Sequence, residues 1–149
     1  MRFPDNCSLI WIDKCTLQFN DGSLEQVFST KGKAQFDNGV GEVVTELQGL
    51  TTGSIIDQSF ALATVKPLGI SKAHFHQTIV EEYYILEGEI ELKLDGKPHI
   101  GHPGSKFTIH PETTHQIYNT STETPLTIFV RCNPAWVIED FHEVIRPKE

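Results

Sequence analysis

The chain offers chemistry first at Ala73-His74-Phe75-His76, where two histidines stand two residues apart. On a strand, residues i and i+2 point to one face with Cα atoms about 6.5–7 Å apart. Two imidazoles so placed can converge on one metal ion at about 2.0–2.1 Å from each nitrogen. Glu81 follows five residues after His76, an odd separation that turns it away on a straight strand. For it to join, the chain must bend between Gln77 and Val80 and return as a new strand. Parity alone leaves Glu82 as an alternative, because Glu81, Tyr83 and Ile85 alternate against Glu82, Tyr84 and Leu86 and both faces carry apolar groups. His115 belongs to a later segment, with Ile117 and Asn119 on its side, and needs the fold to bring it near. His110 ends a run five residues earlier, where an imidazole with an ordinary pKa of about 6.5 moves protons at neutral pH; the competing reading is an exposed turn residue.

The elements that must position these groups read as strands. Candidates run Ser59 to Lys66, Ala73 to Gln77, Glu81 to Glu87, Glu89 to Leu94, Lys106 to His110, His115 to Asn119 and Leu126 to Cys132. Glu89-Ile90-Glu91-Leu92-Lys93-Leu94 alternates strictly, so one face is buried and the other wet. Asp95-Gly96 closes it with a tight hairpin turn, since both positions accept positive φ. Short strands with turn residues at regular intervals predict an all-β sandwich or barrel. Ahead of them lies an arm over residues 1–54, with short alternating pieces at Leu9 to Ile12 and Thr16 to Phe19. A glycine-containing stretch, Gly32 to Gly53, carries a candidate strand at Glu42 to Leu47. The tail, residues 136–149, is short, and Pro134 to Ile145 is the one helix candidate, with Trp136, Ile138, Phe141 and Ile145 to pack. The whole chain, 1–149, reads as one domain with its barrel core at 55–135.

Two stretches carry a family resemblance. Gly69, four residues, His74-x-His76, four residues, Glu81, six residues and Gly88 resembles the first motif of the cupin superfamily, one residue short after the first glycine. Gly104, five residues, His110-Pro111-Glu112-Thr113-Thr114-His115, three residues and Asn119 resembles the second. There the family usually has proline where His110 stands and glycine where Glu112 stands, so the turn before His115 departs from the pattern. The resemblance implies a small RmlC-like antiparallel jelly-roll β-barrel with one divalent metal ion held by His74, His76, Glu81 and His115. The six residues between Glu81 and Gly88 match the family and favour Glu81 over Glu82.

Three neutral imidazoles and one carboxylate leave such an ion with a net charge of about +1 and, if octahedral, about two open positions. The ion can polarise a substrate, lower the pKa of bound water or template a ligand. No thiolate joins the set, which disfavours copper(I) and structural zinc and leaves iron, manganese, nickel, cobalt or zinc. The resemblance implies a metal-dependent enzyme of dioxygenase, isomerase, cyclase or lyase type acting on a polar small organic metabolite. The alternative is a non-catalytic small-molecule-binding or storage cupin, since fold does not select chemistry.

Composition bounds the partners. A formal net charge of -8 with scattered basic residues argues against nucleic acid and acidic membranes. No run approaches the ~20 apolar residues of a membrane span, and Met1 to Asp5 lacks a signal-peptide start. Cys7, Cys15 and Cys132 form neither a disulfide framework nor a metal motif and read as buried or idle thiols of a cytoplasmic protein. His99, His102 and His142 read as surface groups, Tyr83, Phe107 and Tyr118 as core, and Arg131 as a surface ion pair. Trp11, Phe19 and Phe28 give the arm more apolar groups than a free tail shows, which predicts a homodimer paired through it.

Overall fold

In the computed structural model, residues 6–49 and 57–145 are described; the opening Met1–Asp5 and the end of the glycine-containing stretch at Gly53 lie outside them. Fourteen strands follow in chain order: β1 (Ser8–Asp13), β2 (Thr16–Asn20), β3 (Glu25–Ser29), β4 (Gln35–Asp37), β5 (Glu42–Gln48), β6 (Ser59–Val65), β7 (His74–Phe75), β8 (Val80–Glu87), β9 (Ile90–Leu94), β10 (Lys97–Gly101), β11 (Lys106–Ile109), β12 (His115–Tyr118), β13 (Leu126–Asn133) and β14 (His142–Glu143). They form a five-stranded sheet, β10-β9-β12-β7-β14, a six-stranded sheet, β11-β8-β13-β6-β5-β4, and a three-stranded arm, β1-β2-β3. Every described pairing is antiparallel, and the two larger sheets make the jelly-roll barrel that the sequence predicts.

Alternation decides which side chains enter the barrel. Ala63, Val65, Tyr83, Ile85, Ile128 and Val130 from one sheet meet Ile90, Leu92 and Ile117 from the other in the interior core. The opposite faces of β6, β8 and β13 carry Phe60, Leu62, Tyr84 and Phe129, which pack under the arm with Leu17, Phe19 and Phe28. The Phe19 ring lies 5.1 Å from Phe129 and 5.4 Å from Tyr84. Full burial of one such ring contributes about 1.5–3 kcal/mol, so the arm is held to its own barrel. Phe19 and Phe28 are therefore spent within the chain, while Ile10, Trp11, Ile12 and Val27 stay exposed.

The turns follow the residues. Asp95 and Gly96 both have positive φ, 50° and 82°, and join β9 to β10 with Leu94 opposite Lys97, as a two-residue hairpin requires. Gly88 has φ +80°, and a Cβ there would stand 2.4 Å from the Pro125 carbonyl oxygen, so only glycine lets β8 end beside β13. Gly69 is a close approach rather than a twist: a Cβ would meet Gly41 and Lys66 backbone atoms at 3.0 Å.

The tail corrects the sequence reading. Instead of a helix over Pro134 to Ile145, it forms one 3₁₀ turn at Ile138–Asp140, flanked by extended Val137 and Phe141, and then β14. The open edge of β7 supplies hydrogen bonds that a helix would forgo, with His142 opposite Phe75 and Glu143 opposite His74.

Candidate metal centre

Both sheets contribute to one site. His74 and His115 are direct partners across β7 and β12, and His76 follows just beyond β7. Glu81 enters from the facing sheet near the start of β8, opposite Ile109 on β11 and Cys132 on β13. The bend expected between Gln77 and Val80 is present, and the inner face of β8 carries Glu81, Tyr83 and Ile85. Glu82 points outward to Lys106 at 2.8 Å and Arg131 at 2.7 Å. One donor atom from each of His74, His76, Glu81 and His115 lies within 4.8 Å of the others. His76, Glu81 and His115 are 2%, 4% and 1% exposed, so the cluster is sealed from bulk solvent.

Hydrogen bonds fix the ring orientations. His74 Nδ1 faces the Lys72 carbonyl at 2.8 Å, His76 Nδ1 the Asp140 carbonyl at 2.7 Å and His115 Nδ1 the Thr113 carbonyl at 2.9 Å. A carbonyl only accepts, so each Nδ1 carries the proton and each neutral ring presents a lone pair at Nε2. His115 Nε2 and His76 Nε2 stand 2.8 and 3.1 Å from Glu81 Oε1, yet none of the three has a hydrogen-bond partner. With both rings neutral no proton lies between these acceptors; in the metal-free protein Glu81 raises the His76 pKa against the effect of burial, so a proton taken up there is what would otherwise fill the gap. Lone pairs crowded in a buried space repel unless a cation joins them. Neighbouring donors about 2.1 Å from one octahedral ion are about 3 Å apart, so the observed spacings fit a divalent metal. His, His, Glu and His are nitrogen and oxygen donors suited to that group.

The surroundings tune the same atoms. Burial alone would raise Glu81, but His115 and His76 hold its carboxylate well below the usual range. Burial drives His74 down to about 4, which keeps that imidazole neutral and ready as a ligand. The Cys132 thiol donates to Glu81 Oε2 at 3.4 Å, and burial followed by the Glu81 charge raises the thiol far above its normal pKa. Cys132 is thus a buried, protonated partner of Glu81; Cys7, Cys15 and Cys132 are all free.

Three contributors escaped the sequence. Glu42 pairs with Val65 on the inner face of β5, and burial, then the Glu81 charge, pushes its carboxyl up to about 7. Asp140 accepts from the Gln77, Thr78 and Ile79 backbone N–H groups and from the Thr78 hydroxyl, at 2.8–3.3 Å. Phe141 stacks on the His74 ring with centroids 4.6 Å apart. Only the last two sit in the tail, where a helix pattern obscured them.

The remaining histidines separate from the cluster. His110 is exposed at the end of β11, outside the four-residue group; its carbonyl accepts from Thr113 N–H at 3.3 Å. Glu112, in the glycine position of that turn, has φ 67°, and its N–H reaches the His76 carbonyl at 2.6 Å. His99 is exposed, His102 pairs with Glu89 at 3.1 Å, and His142 is half-buried against Phe75 with ring centroids 5.0 Å apart. Asn119 is a loop clamp: its amide donates to the Val65, Lys66 and Thr124 carbonyls. Arg131 bonds Asp21 and Glu82, as a surface ion pair would.

The Cupin domain family profile matches residues 61–131. An uncharacterised protein of Methanocaldococcus jannaschii is 33% identical over 100 residues, 67% of this chain and 79% of its own. An RmlC-like cupin from Shewanella frigidimarina superposes with a TM-score of 0.60 at 18% identity, over 72% of this chain and 90% of its own. Pac13 of Streptomyces, solved with uridine, superposes with a TM-score of 0.66 at 14% identity, over 79% and 89%. Pac13 is described as a nucleoside dehydratase. At these identities the two solved structures establish a shared fold and nothing about substrate.

Proposed function

The chain belongs to the cupin superfamily, and from that footing we propose that it binds one divalent metal ion on His74, His76, Glu81 and His115 and is a metal-dependent enzyme for a polar small organic metabolite. One observation carries the metal reading: the Nδ1 of each of three clustered imidazoles faces a backbone carbonyl, and the Nε2 atoms of His76 and His115 stand 3.1 and 2.8 Å from Glu81 Oε1 with no hydrogen-bond partner. A bound ion would supply Lewis acidity and two open positions. This chain's own residues would supply the rest. Glu81 neutralises part of the ion's charge and is held by Cys132. Glu42 lies on the inner face of β5, its carboxyl raised to about 7 in the metal-free protein by burial and then by the Glu81 charge. Tyr83, fully inside and raised well above its ordinary pKa by burial and then by Glu81, stays a hydroxyl.

Glu42 favours an enzyme over a storage protein, because a half-buried carboxyl raised to about 7 beside Glu81 in the metal-free protein is a group that proton transfer can use and passive storage does not need. Eliminations and isomerisations fit such a group, and because Pac13 was solved with uridine, nucleosides belong on the substrate panel. Turnover of the metal-loaded protein under air and under nitrogen separates oxygenase from isomerase, cyclase or lyase chemistry. Tight ligand binding with no turnover across the panel would reverse the reading in favour of a binding module. His110 remains a proposal for a rim acid or base: His110→Ala should lower turnover roughly 10²–10⁴-fold at unchanged metal content, and parental turnover removes it.

A homodimer is proposed through the arm, where Ile10, Trp11, Ile12 and Val27 are exposed side chains needing cover. Light scattering that returns a monomer mass would reject it. A cytoplasmic setting is proposed on the three free thiols, and no described helix is long and apolar enough to cross a membrane.

A further inference from the structure

The tail touches both histidines of the first motif without offering a donor to the ion. Beyond β13, the chain passes through the Ile138–Asp140 turn and runs back along β7, where Val144 N–H donates to the Ala73 carbonyl at 2.9 Å. Asp140 works at two levels. Its backbone carbonyl accepts the His76 Nδ1 proton at 2.7 Å, which selects the tautomer whose Nε2 faces Glu81. Its carboxylate gathers the Gln77 N–H at 2.8 Å, the Thr78 N–H at 3.1 Å, the Thr78 hydroxyl at 2.9 Å and the Ile79 N–H at 3.3 Å. Those three residues are the bend that returns the chain from His76 to Glu81. The next residue, Phe141, lies face to face with His74, with ring centroids 4.6 Å apart and planes 28° from parallel. Trp136 backs Phe141 with centroids 6.4 Å apart.

We propose that Asp140 and Phe141 form a positioning clamp for the metal centre, in which Asp140 orients His76 and shapes the bend to Glu81 while Phe141 orients His74. The inference rests on the metal-binding reading above. Partners that orient metal-ligating histidines are commonly worth 10–100-fold in affinity. A carbonyl delivered by a side chain-anchored turn is such a partner, because releasing the Asp140 carboxylate frees the backbone that carries it. Coupling is reciprocal, so occupancy must also steady the clamp.

The test measures cobalt(II) affinity by calorimetry and the cobalt d–d spectrum on the full chain. The panel comprises the parent, Asp140→Ala, Asp140→Asn, Phe141→Leu, the exposed neighbour Glu139→Ala and His76→Ala. Asp140→Ala and Phe141→Leu should weaken cobalt binding roughly 10–100-fold with a shifted spectrum. Asp140→Asn, which keeps one acceptor oxygen for the bend, should fall between Ala and parent, and Glu139→Ala should match the parent. Amide exchange at Val144 should slow when cobalt binds the parent. Parental affinity and spectrum in both Asp140→Ala and Phe141→Leu, with His76→Ala unable to bind, would overturn the clamp and leave the metal site standing. Should Asp140→Ala fail to fold, Phe141→Leu decides alone. No cobalt binding by the parent, or undiminished binding by His76→Ala, would overturn the clamp together with the metal reading.

Discussion

Replacing Glu81 by glutamine should make the metal-free protein more stable while abolishing its response to metal. The volume is unchanged, and the site is 4% exposed, so the change is one of protons alone. With both rings protonated at Nδ1 alone, Glu81 Oε1 faces two Nε2 lone pairs at 2.8 and 3.1 Å. An amide nitrogen in that place carries two protons, one for each ring, while the amide oxygen still accepts from Cys132. Two new buried hydrogen bonds at about 0.5–1.5 kcal/mol each give a gain of about 1–3 kcal/mol. Relief of a buried carboxylate adds to this. For a chain of this size about 1 kcal/mol shifts Tm by about 2–4 °C, so the chelated variant should melt about 2–12 °C above the chelated parent. Metal reverses the order. At a free metal concentration of 100 times Kd the parent gains about 2.7 kcal/mol, whereas the variant, short of its anionic donor, gains little. Scanning calorimetry at pH 9, with chelator and then with excess metal, reads both effects. Glu82→Gln is the control, since its carboxylate binds Lys106 and Arg131 outside the barrel and its loss should leave the metal response intact. A chelated Glu81→Gln protein that melts below the chelated parent would refute the lone-pair argument, and a preserved metal response would refute the ligand assignment.

Glu112→Gly should stabilise the protein by up to about 1 kcal/mol, because Glu112 sits at φ 67° where glycine has no Cβ penalty; a fall in the urea midpoint would contradict this. Gly88→Ala should cost more than about 2 kcal/mol or prevent folding, given φ +80° and a carbonyl 2.4 Å from the new Cβ; a parental melting temperature would count against the β8–β13 geometry. Glu42 has a folded pKa raised to about 7. Its contribution is complete below the unfolded value of about 4.3 and is lost as pH rises through the folded one. Glu42→Gln should therefore gain stability over the chelated parent at pH 8 relative to pH 5, and an equal difference at both pH values would reject the burial of that carboxyl.

The sequence made the barrel legible where side-chain period and turn chemistry agreed. The strand at Ile90–Leu94 and its Asp95-Gly96 turn needed only local information. The choice of Glu81 over Glu82 did not, because Tyr83 and Ile85 face the interior core while Tyr84 and Leu86 face the core under the arm. Two buried faces erase alternation, and only family spacing resolved the register. The convergence of His115 with His74 depends on pairing across β12 and β7, a contact forty-one residues apart in the chain and invisible to periodicity. The tail misled for a different reason. Trp136, Ile138, Phe141 and Ile145 have helical spacing, but the edge of β7 and the amides of residues 77–79 offered partners that only the folded barrel presents. Asp140 and Glu42 carry no motif at all; their roles come from which groups the fold seats beside them.

The central claim is tested most directly by elemental analysis of untagged protein, parent against His76→Ala. The account predicts up to one divalent metal ion per chain in the parent and a sharp loss in the variant, with circular dichroism still that of a folded β-protein. Equal metal content in the two proteins would contradict it.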